Sequence, residues 1–437
     1  MKRGVLMSTD RIPFLCRFLV WSAAFALVLG TAACAAPTPT AWDAPQEKYL
    51  TVKVDPKYPL AAGTNALDPA YVQSLQALGG DLLSAMAAKD PGANLLLSPV
   101  SLSMAFSMTA AGAKGDTLSE MLSALRFEGM DLAAVVKQNR FAFENLYRDQ
   151  ADLKVLLANS LWCLDDYPFE PGFLDGSTKD FFASVRAVRR ADGADPLTLI
   201  NDWASDHTNG LVPQVLDKIE PNVVLILVNA LYFKGEWTNP FGSKETKVGT
   251  FIKRDGTAVT SDFLWKREDL RIRETDDSLS VALPYKGGMA MVVTLPKGTA
   301  AFDASQQALL ADALDWKDWT AQDLEVGLPK FSFDAALDLP AYMETLGMKK
   351  AFVMGEADFS GMSPRALEDD MYIAAAVQKS FISVSEKGTE AGAATAVSMG
   401  IKSMPRKVSF DRPFWFAIVD EQGVPLFIGT VEDPTAN

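Results

Sequence analysis

Apolar residues recur along this chain with two periods, and each period predicts its own kind of element. Val72, Leu75, Leu78, Leu82 and Met86 lie three or four residues apart, one face of a helix that stops near Asp90-Pro91-Gly92. A buried segment, Asn94 to Met108, comes next, then a helix around Leu118 to Leu125. Further on, the period shortens. Leu225 to Phe233 is apolar nearly throughout, as a strand covered on both faces should be. Val281 to Leu295 reads as a hairpin turned at Lys286-Gly287-Gly288, and Leu324, Val326 and Leu328 alternate with polar or small residues until Pro329. Ser380 to Ser385 alternates like a strand, and Phe414 to Val419 with Leu426 to Val431 forms a last hairpin around Asp420-Glu421-Gln422-Gly423. Early helices followed by many strands predict one mixed, α+β domain over residues 67–437, with no internal repeat and no second linker.

Between Ser385 and the strand that begins at Val408 and Phe410 lies a long stretch with no helical stripe, uncharged from Ala391 to Ile401. Irregular loops of this length are uncommon in compact domains and tend to be functional. Read in twos, Thr389, Ala391, Ala393, Thr395 and Val397 share one face and are all small or β-branched. Glu390, Gly392, Ala394, Ala396 and Ser398 fall on the other. No proline interrupts the run before Pro405, so the segment is able to sit inside a sheet, where proline is excluded. The same residues would also make a flexible exposed linker, and composition alone does not separate the two.

The N-terminus has its own pattern. Residues 1–17 are basic, Phe18 to Leu29 is an apolar run too short to span a bilayer comfortably, and Gly30, Thr31, Ala32 and Ala33 lead into Cys34. This reads as a secretory signal over 1–33. Small residues before a cysteine resemble the bacterial lipobox, in which the cysteine is lipidated and becomes the new N-terminus. Thr31 stands where such motifs usually carry leucine, and Ala33-Cys34-Ala35 also fits ordinary cleavage after Ala35. Residues 34–66, with Pro37, Pro39, Pro45, Pro56 and Pro59, lack periodicity and read as a flexible tether. The expected location is extracytoplasmic, either lipid-anchored at a bacterial cell envelope or secreted.

Composition narrows the chemistry. The 437 residues are 49% apolar and 22% charged, enough to bury a large core. The net charge of −14 becomes −17 once the first 33 residues, with four basic side chains against Asp10, are removed. Such a surface repels nucleic acid and anionic lipid. Of three cysteines only Cys163 lies in the domain, so no intrachain disulfide forms there. His207 is the one imidazole, in a helix-ending context before Gly210, which argues against a histidine-dependent hydrolase and against His-rich zinc sites. No G-x-S-x-G elbow or phosphate-binding P-loop is present.

Several ordered motifs then fix a resemblance. Glu386-Lys387-Gly388-Thr389-Glu390-Ala391-Gly392-Ala393-Ala394 is similar to the reactive-loop hinge of inhibitory serpins. Asn94 through Ser101 with Ala105 to Thr117, Ile200-Asn201-Asp202-Trp203 with Thr208-Asn209-Gly210, and Asn229 through Trp237 resemble further segments of that family. Leu328-Pro329-Lys330-Phe331, Asp358-Phe359-Ser360-Gly361, Phe410 to Phe416 and Pro425 to Gly429 complete the series in family order, from about residue 70 to the C-terminus.

The resemblance implies a serpin fold: a large, mostly antiparallel central sheet, two further sheets, surrounding helices and an exposed reactive-centre loop over about 386–407. It implies a monomeric suicide inhibitor, not an enzyme, that traps a trypsin-like serine protease covalently. Counting along the family pattern puts the reactive bond at Lys402–Ser403, with Arg406, Lys407, Met399 and Met404 as alternatives. The hinge would comprise Glu386, Gly388, Thr389, Glu390, Ala391, Gly392, Ala393 and Ala394. Ser98, Ser101, Asn229 and Gln378 match the polar cluster under the opening sheet, Gln378 standing where many serpins carry histidine. Trp237, Lys330 and Glu386 are expected together at the top of the sheet, the last two as an ion pair. No cofactor, metal or heparin-like site is implied. The competing reading is a non-inhibitory serpin acting as a binder or chaperone, whose hinge would be broken by proline or charge.

Overall fold

The computed structural model describes residues 50–54, 57–59, 63–164, 167–189, 193, 195–220, 223, 225–297, 315–389 and 404–436. In chain order its strands are β1 (Leu50–Val54), β2 (Leu95–Leu97), β3 (Arg148–Asp149), β4 (Leu153–Leu164), β5 (Ala183–Val188), β6 (Leu225–Glu236), β7 (Lys247–Ile252), β8 (Ala258–Glu274), β9 (Ser278–Pro284), β10 (Ala290–Pro296), β11 (Thr320–Pro329), β12 (Phe331–Asp338), β13 (Ala375–Ser385), β14 (Gly388–Thr389), β15 (Arg406–Ser409), β16 (Phe414–Val419) and β17 (Pro425–Val431). Eight of them form the central sheet in the order β1-β5-β4-β6-β14-β13-β12, with β3 on β4 and a direct β6–β13 pairing.

The predicted apolar run became β6, buried from Leu225 through Phe233 and packed by helices Pro99–Ala110 and Pro196–His207. Its neighbours β4 and β13 run antiparallel and parallel to it. The helical stripe at Val72 belongs to Pro69–Lys89, which starts with Asp68 accepting from the Ala70 N–H and with proline where no donor is needed. Helix Pro99–Ala110, buried at every residue, accounts for most of the segment Asn94–Met108.

The two further sheets share one strand. β8 is 17 residues long and pairs with β7 at its start, with β11 through its middle and with β9 at its end. The result is one nine-stranded path, β15-β11-β8-β9-β10-β16-β17-β2, with β7 on β8.

The expected tether needs a correction. Leu50–Val54 is an edge strand of the central sheet, paired antiparallel with β5 from Leu50↔Val188 to Val54↔Val185. Gly63 N–H donates to the Glu144 carbonyl, and Asn65 to the side chains of Asn145 and Glu144. The cause is an edge left open on β5, whose unpaired N–H and C=O groups capture any extended segment within reach. Cys163 is buried in β4, and His207 closes its helix with its ring stacked on Trp203 at 4.3 Å.

Candidate functional site

β6 and β13 pair directly from Ile226↔Ala375 to Leu231↔Ser380, and there the pairing stops. Above that point β14 lies between them. Gly388 and Thr389 face Glu236 and Gly235 on one side and Ser385 and Val384 on the other. Two hinge residues, Gly388 and Thr389, are thus already strand residues of the central sheet, and Thr389 is 1% exposed. Only glycine fits at 388. Its φ is +153°, and a Cβ there would stand 2.0 Å from the Gly235 carbonyl oxygen.

The turn that feeds β14 is gripped by the segment after β6. Trp237 Nε1 donates to the Ser385 carbonyl (3.0 Å), Phe241 N–H to that of Glu386 (2.7 Å) and Trp237 N–H to that of Lys387 (2.9 Å). Three successive carbonyls are thereby held by one stretch of chain. The Glu386 carboxylate accepts from Thr246 Oγ1 (2.9 Å) and from Lys330 Nζ (3.1 Å), so the structure brings Trp237, Lys330 and Glu386 together. Burial works against the charge on Glu386, and hydrogen bonds from its own backbone, Thr246 and Lys330 outweigh it, holding the carboxyl below its ordinary value of 4.5. A lowered folded value means that the contact contributes stability at neutral pH and loses it only as pH falls through that value.

With Lys330 over a third exposed, the pair is worth about 0–1 kcal/mol. Its weight lies in where it sits, across the top of the gap. Glu386→Lys sets two ammonium groups against each other there, and loop–sheet polymers are expected to form faster on mild heating. Polymerisation kinetics followed by native gel, if unchanged in the variant, would count against this role.

Below the gap lies the second group. Registers Asn159↔Asn229 and Gln378↔Asn229 place three amides in one row across β4, β6 and β13. Asn229 Nδ2 donates to Asn159 Oδ1 (2.7 Å) and to Ser101 Oγ, while Gln378 Nε2 donates to Asn229 Oδ1 (2.9 Å) and to the Ser98 carbonyl (3.1 Å). Gln378 Oε1 accepts from Ser98 N–H at 2.8 Å, at the start of helix Pro99–Ala110. Ser98, Ser101, Asn159, Asn229 and Gln378 are all 0% exposed, so any bond broken here leaves a buried polar group costing about 1–3 kcal/mol. An amide at 378 has no proton equilibrium near neutrality, unlike an imidazole, and the row is indifferent to pH between about 5 and 8.

The far end of the loop is anchored differently. β15 runs parallel to β11, Arg406 opposite Leu324 and Ser409 opposite Gly327. Arg406 pairs with Glu274 at 2.8 Å, and the Lys407 ammonium lies 4.3 Å from the centre of the Trp265 ring. Met404, just before this strand, is 96% exposed. Glu390, Ala391, Gly392, Ala393, Ala394, Lys402 and Ser403 lie outside the described residues, as does Cys34.

Asn159, Thr246 and Tyr285 escaped the sequence reading. Asn159-Ser160 interrupts the apolar run Val155 to Leu164, a signal that was there to use. Thr246 and Tyr285 meet the loop only through the fold.

A family model described as serpin (serine protease inhibitor) matches residues 73–434. Mouse alpha-1-antitrypsin 1-5 is 30% identical over 355 residues, 78% of this chain and 84% of that protein. A serpin-like protein of Thermococcus kodakarensis is 32% identical over 353 residues, 78% of this chain and 81% of its own. The native structure of tengpin, a thermophilic serpin, superposes with a TM-score of 0.76 at 26% identity, covering 88% of this chain and 100% of that one. This chain belongs to the serpin family.

Proposed function

We propose that this serpin inhibits trypsin-like serine proteases as a suicide substrate, with Lys402–Ser403 as the bait bond. The protease serine attacks the Lys402 carbonyl, the Lys402–Ser403 bond breaks, the Ser403 amine leaves with the proton, and Lys402 stays esterified to the enzyme. The severed loop then inserts between β6 and β13, and the protease is carried along. Serpin loop insertion is itself a standing example of strand addition. About a dozen new backbone hydrogen bonds at about 1 kcal/mol each, with burial of the inner face, are sufficient in scale.

The observation that carries this reading is the seating of Gly388 and Thr389 between β6 and β13, at the head of the path the rest of the loop would follow. The anchoring of β15 supports the choice of bond. Arg406 and Lys407 are strand residues with engaged side chains, whereas a protease needs its substrate extended and unpaired. Incubation with trypsin is expected to give a complex stable to denaturant, and mass spectrometry of the released peptide should find it starting at Ser403. A peptide starting at Pro405 or Lys407 would mean a different register, and no complex would mean a different function.

The same reading places the protein outside the cytoplasm, held through a lipidated Cys34. Support comes from the basic leader, the short apolar run and the small residues before the cysteine. No helix among the described residues is long and apolar enough to cross a membrane. Labelled palmitate should be incorporated in a bacterial host and lost in Cys34→Ser; equal labelling of both, or of neither, contradicts the anchor.

A further inference from the structure

Tyr285 lies just beyond β9, in the turn to β10, with no place in the sequence pattern of the loop. It is 2% exposed, and its ring is fixed on three sides. The ring stacks on Trp237 with centroids 4.3 Å apart and planes 8° from parallel, and meets Phe233 edge-on at 5.2 Å. On the third side Gly235 is so close that a Cβ there would stand 2.9 Å from the ring. The backbone is pinned as well, by a bridge to Trp237 and by the Tyr285 N–H donating to the Met289 carbonyl. From this socket the hydroxyl reaches Thr389 Oγ1 at 2.7 Å. Burial pushes the phenol's pKa up, so the group stays neutral and able to donate.

We infer that Tyr285 is a positioning residue, a latch that holds Gly388 and Thr389 seated in the central sheet before any protease arrives. The inference rests on the inhibitory reading for its consequence, though not for the latch itself. Insertion is a zipper, and the costly part of a zipper is its first step, when chain is ordered before bonds accumulate. A hinge already seated at Gly388–Thr389 spares the cleaved loop that step. It therefore favours insertion in the race against hydrolysis of the acyl-enzyme. The Trp237–Tyr285 stack matters because it removes the ring's freedom, so that the hydroxyl stands ready at one point.

Two conservative variants test this. Tyr285→Phe keeps the ring and its stacking, and Thr389→Val keeps the shape of the hinge residue; each removes one hydroxyl. In the intact protein, amide hydrogen exchange at Gly388 and Thr389 is expected to quicken roughly tenfold in either variant, equivalent to about 1.4 kcal/mol. The double variant should show little more, because both changes remove the same bond. Thr389→Ser should stay close to wild type. With trypsin, Tyr285→Phe and Thr389→Val should each need about twice as much inhibitor per enzyme trapped. Unchanged hinge exchange in Tyr285→Phe, or fully additive effects in the double variant, would overturn the latch. If wild type forms no complex with trypsin, the inhibitory reading falls, and exchange at the hinge still decides on the latch.

Discussion

Thr389→Arg should be cut at Lys402–Ser403 as readily as wild type, yet release active protease and leave no complex stable to denaturant. Thr389 sits under the sheet at 1% exposure, against the Tyr285 hydroxyl. Its described partners, the Tyr285 hydroxyl, Val384 and Gly235, offer a guanidinium no carboxylate, and an unpaired buried charge costs several kcal/mol. At about 1.4 kcal/mol per tenfold, insertion slows by two to three orders of magnitude or more. The acyl-enzyme then hydrolyses first. The seated hinge adds a second expectation: the arginine also unseats β14 in the uncut protein, so hinge amides exchange freely before any protease is added. Cleaved wild type should resist heat far better than the intact form, and cleaved Thr389→Arg should gain less. Normal trapping of trypsin by this variant would mean that loop insertion is not how the protein works.

The second large effect concerns the bait. Lys402→Ala should slow association with trypsin-like enzymes by about 10²–10³, the scale of losing one partner of a buried ion pair in the protease's specificity pocket. Lys402→Arg should restore most of it. The two basic residues downstream do not compensate, because Arg406 and Lys407 are held in β15 by Glu274 and Trp265. Rates measured for Lys402→Ala, Arg406→Ala and Lys407→Ala side by side decide the register. A loss confined to Arg406→Ala or Lys407→Ala would move the bait to that residue.

Much of the architecture is written locally and was legible for that reason. The stripe from Val72 to Met86, the double-faced run of β6 and the hairpin of β16 and β17 each carry their period within their own residues. β8 was harder. Lys266, Arg267, Glu268 and Asp269 interrupt its alternation, and only the fold shows that Lys266 is buried, with its ammonium over the Phe241 ring at 4.6 Å and paired to Glu268. β1 was invisible because its partner, β5, lies more than a hundred residues away and a five-residue strand between prolines has no signature alone. The site divides along the same line. Hinge glycines, the lysine–glutamate pair and the serine–asparagine cluster belong to motifs that stand in the sequence. Tyr285 and Thr246 act through distance, and no spacing announces them, whereas Asn159 shows only as a polar break in an apolar run.

The direction of β1 has a mechanical consequence. It runs antiparallel to β5, so Leu50 stands level with Val188 and Leu164, at the pole of the sheet away from Thr389. One row, Thr51-Ala187-Cys163-Leu225, joins that strand to the foot of β6 across three strand spacings, about 14 Å. An inserting loop would finish at this foot. The chain from Cys34 to Leu50 reaches at most about 55 Å, and a protease of about 230 residues measures about 45 Å across. If Cys34 moors the chain and the loop inserts as proposed, capture would also be haulage: the trapped enzyme would be drawn toward the pole where the strand leading from the mooring begins, on a line whose full reach is close to the enzyme's own width.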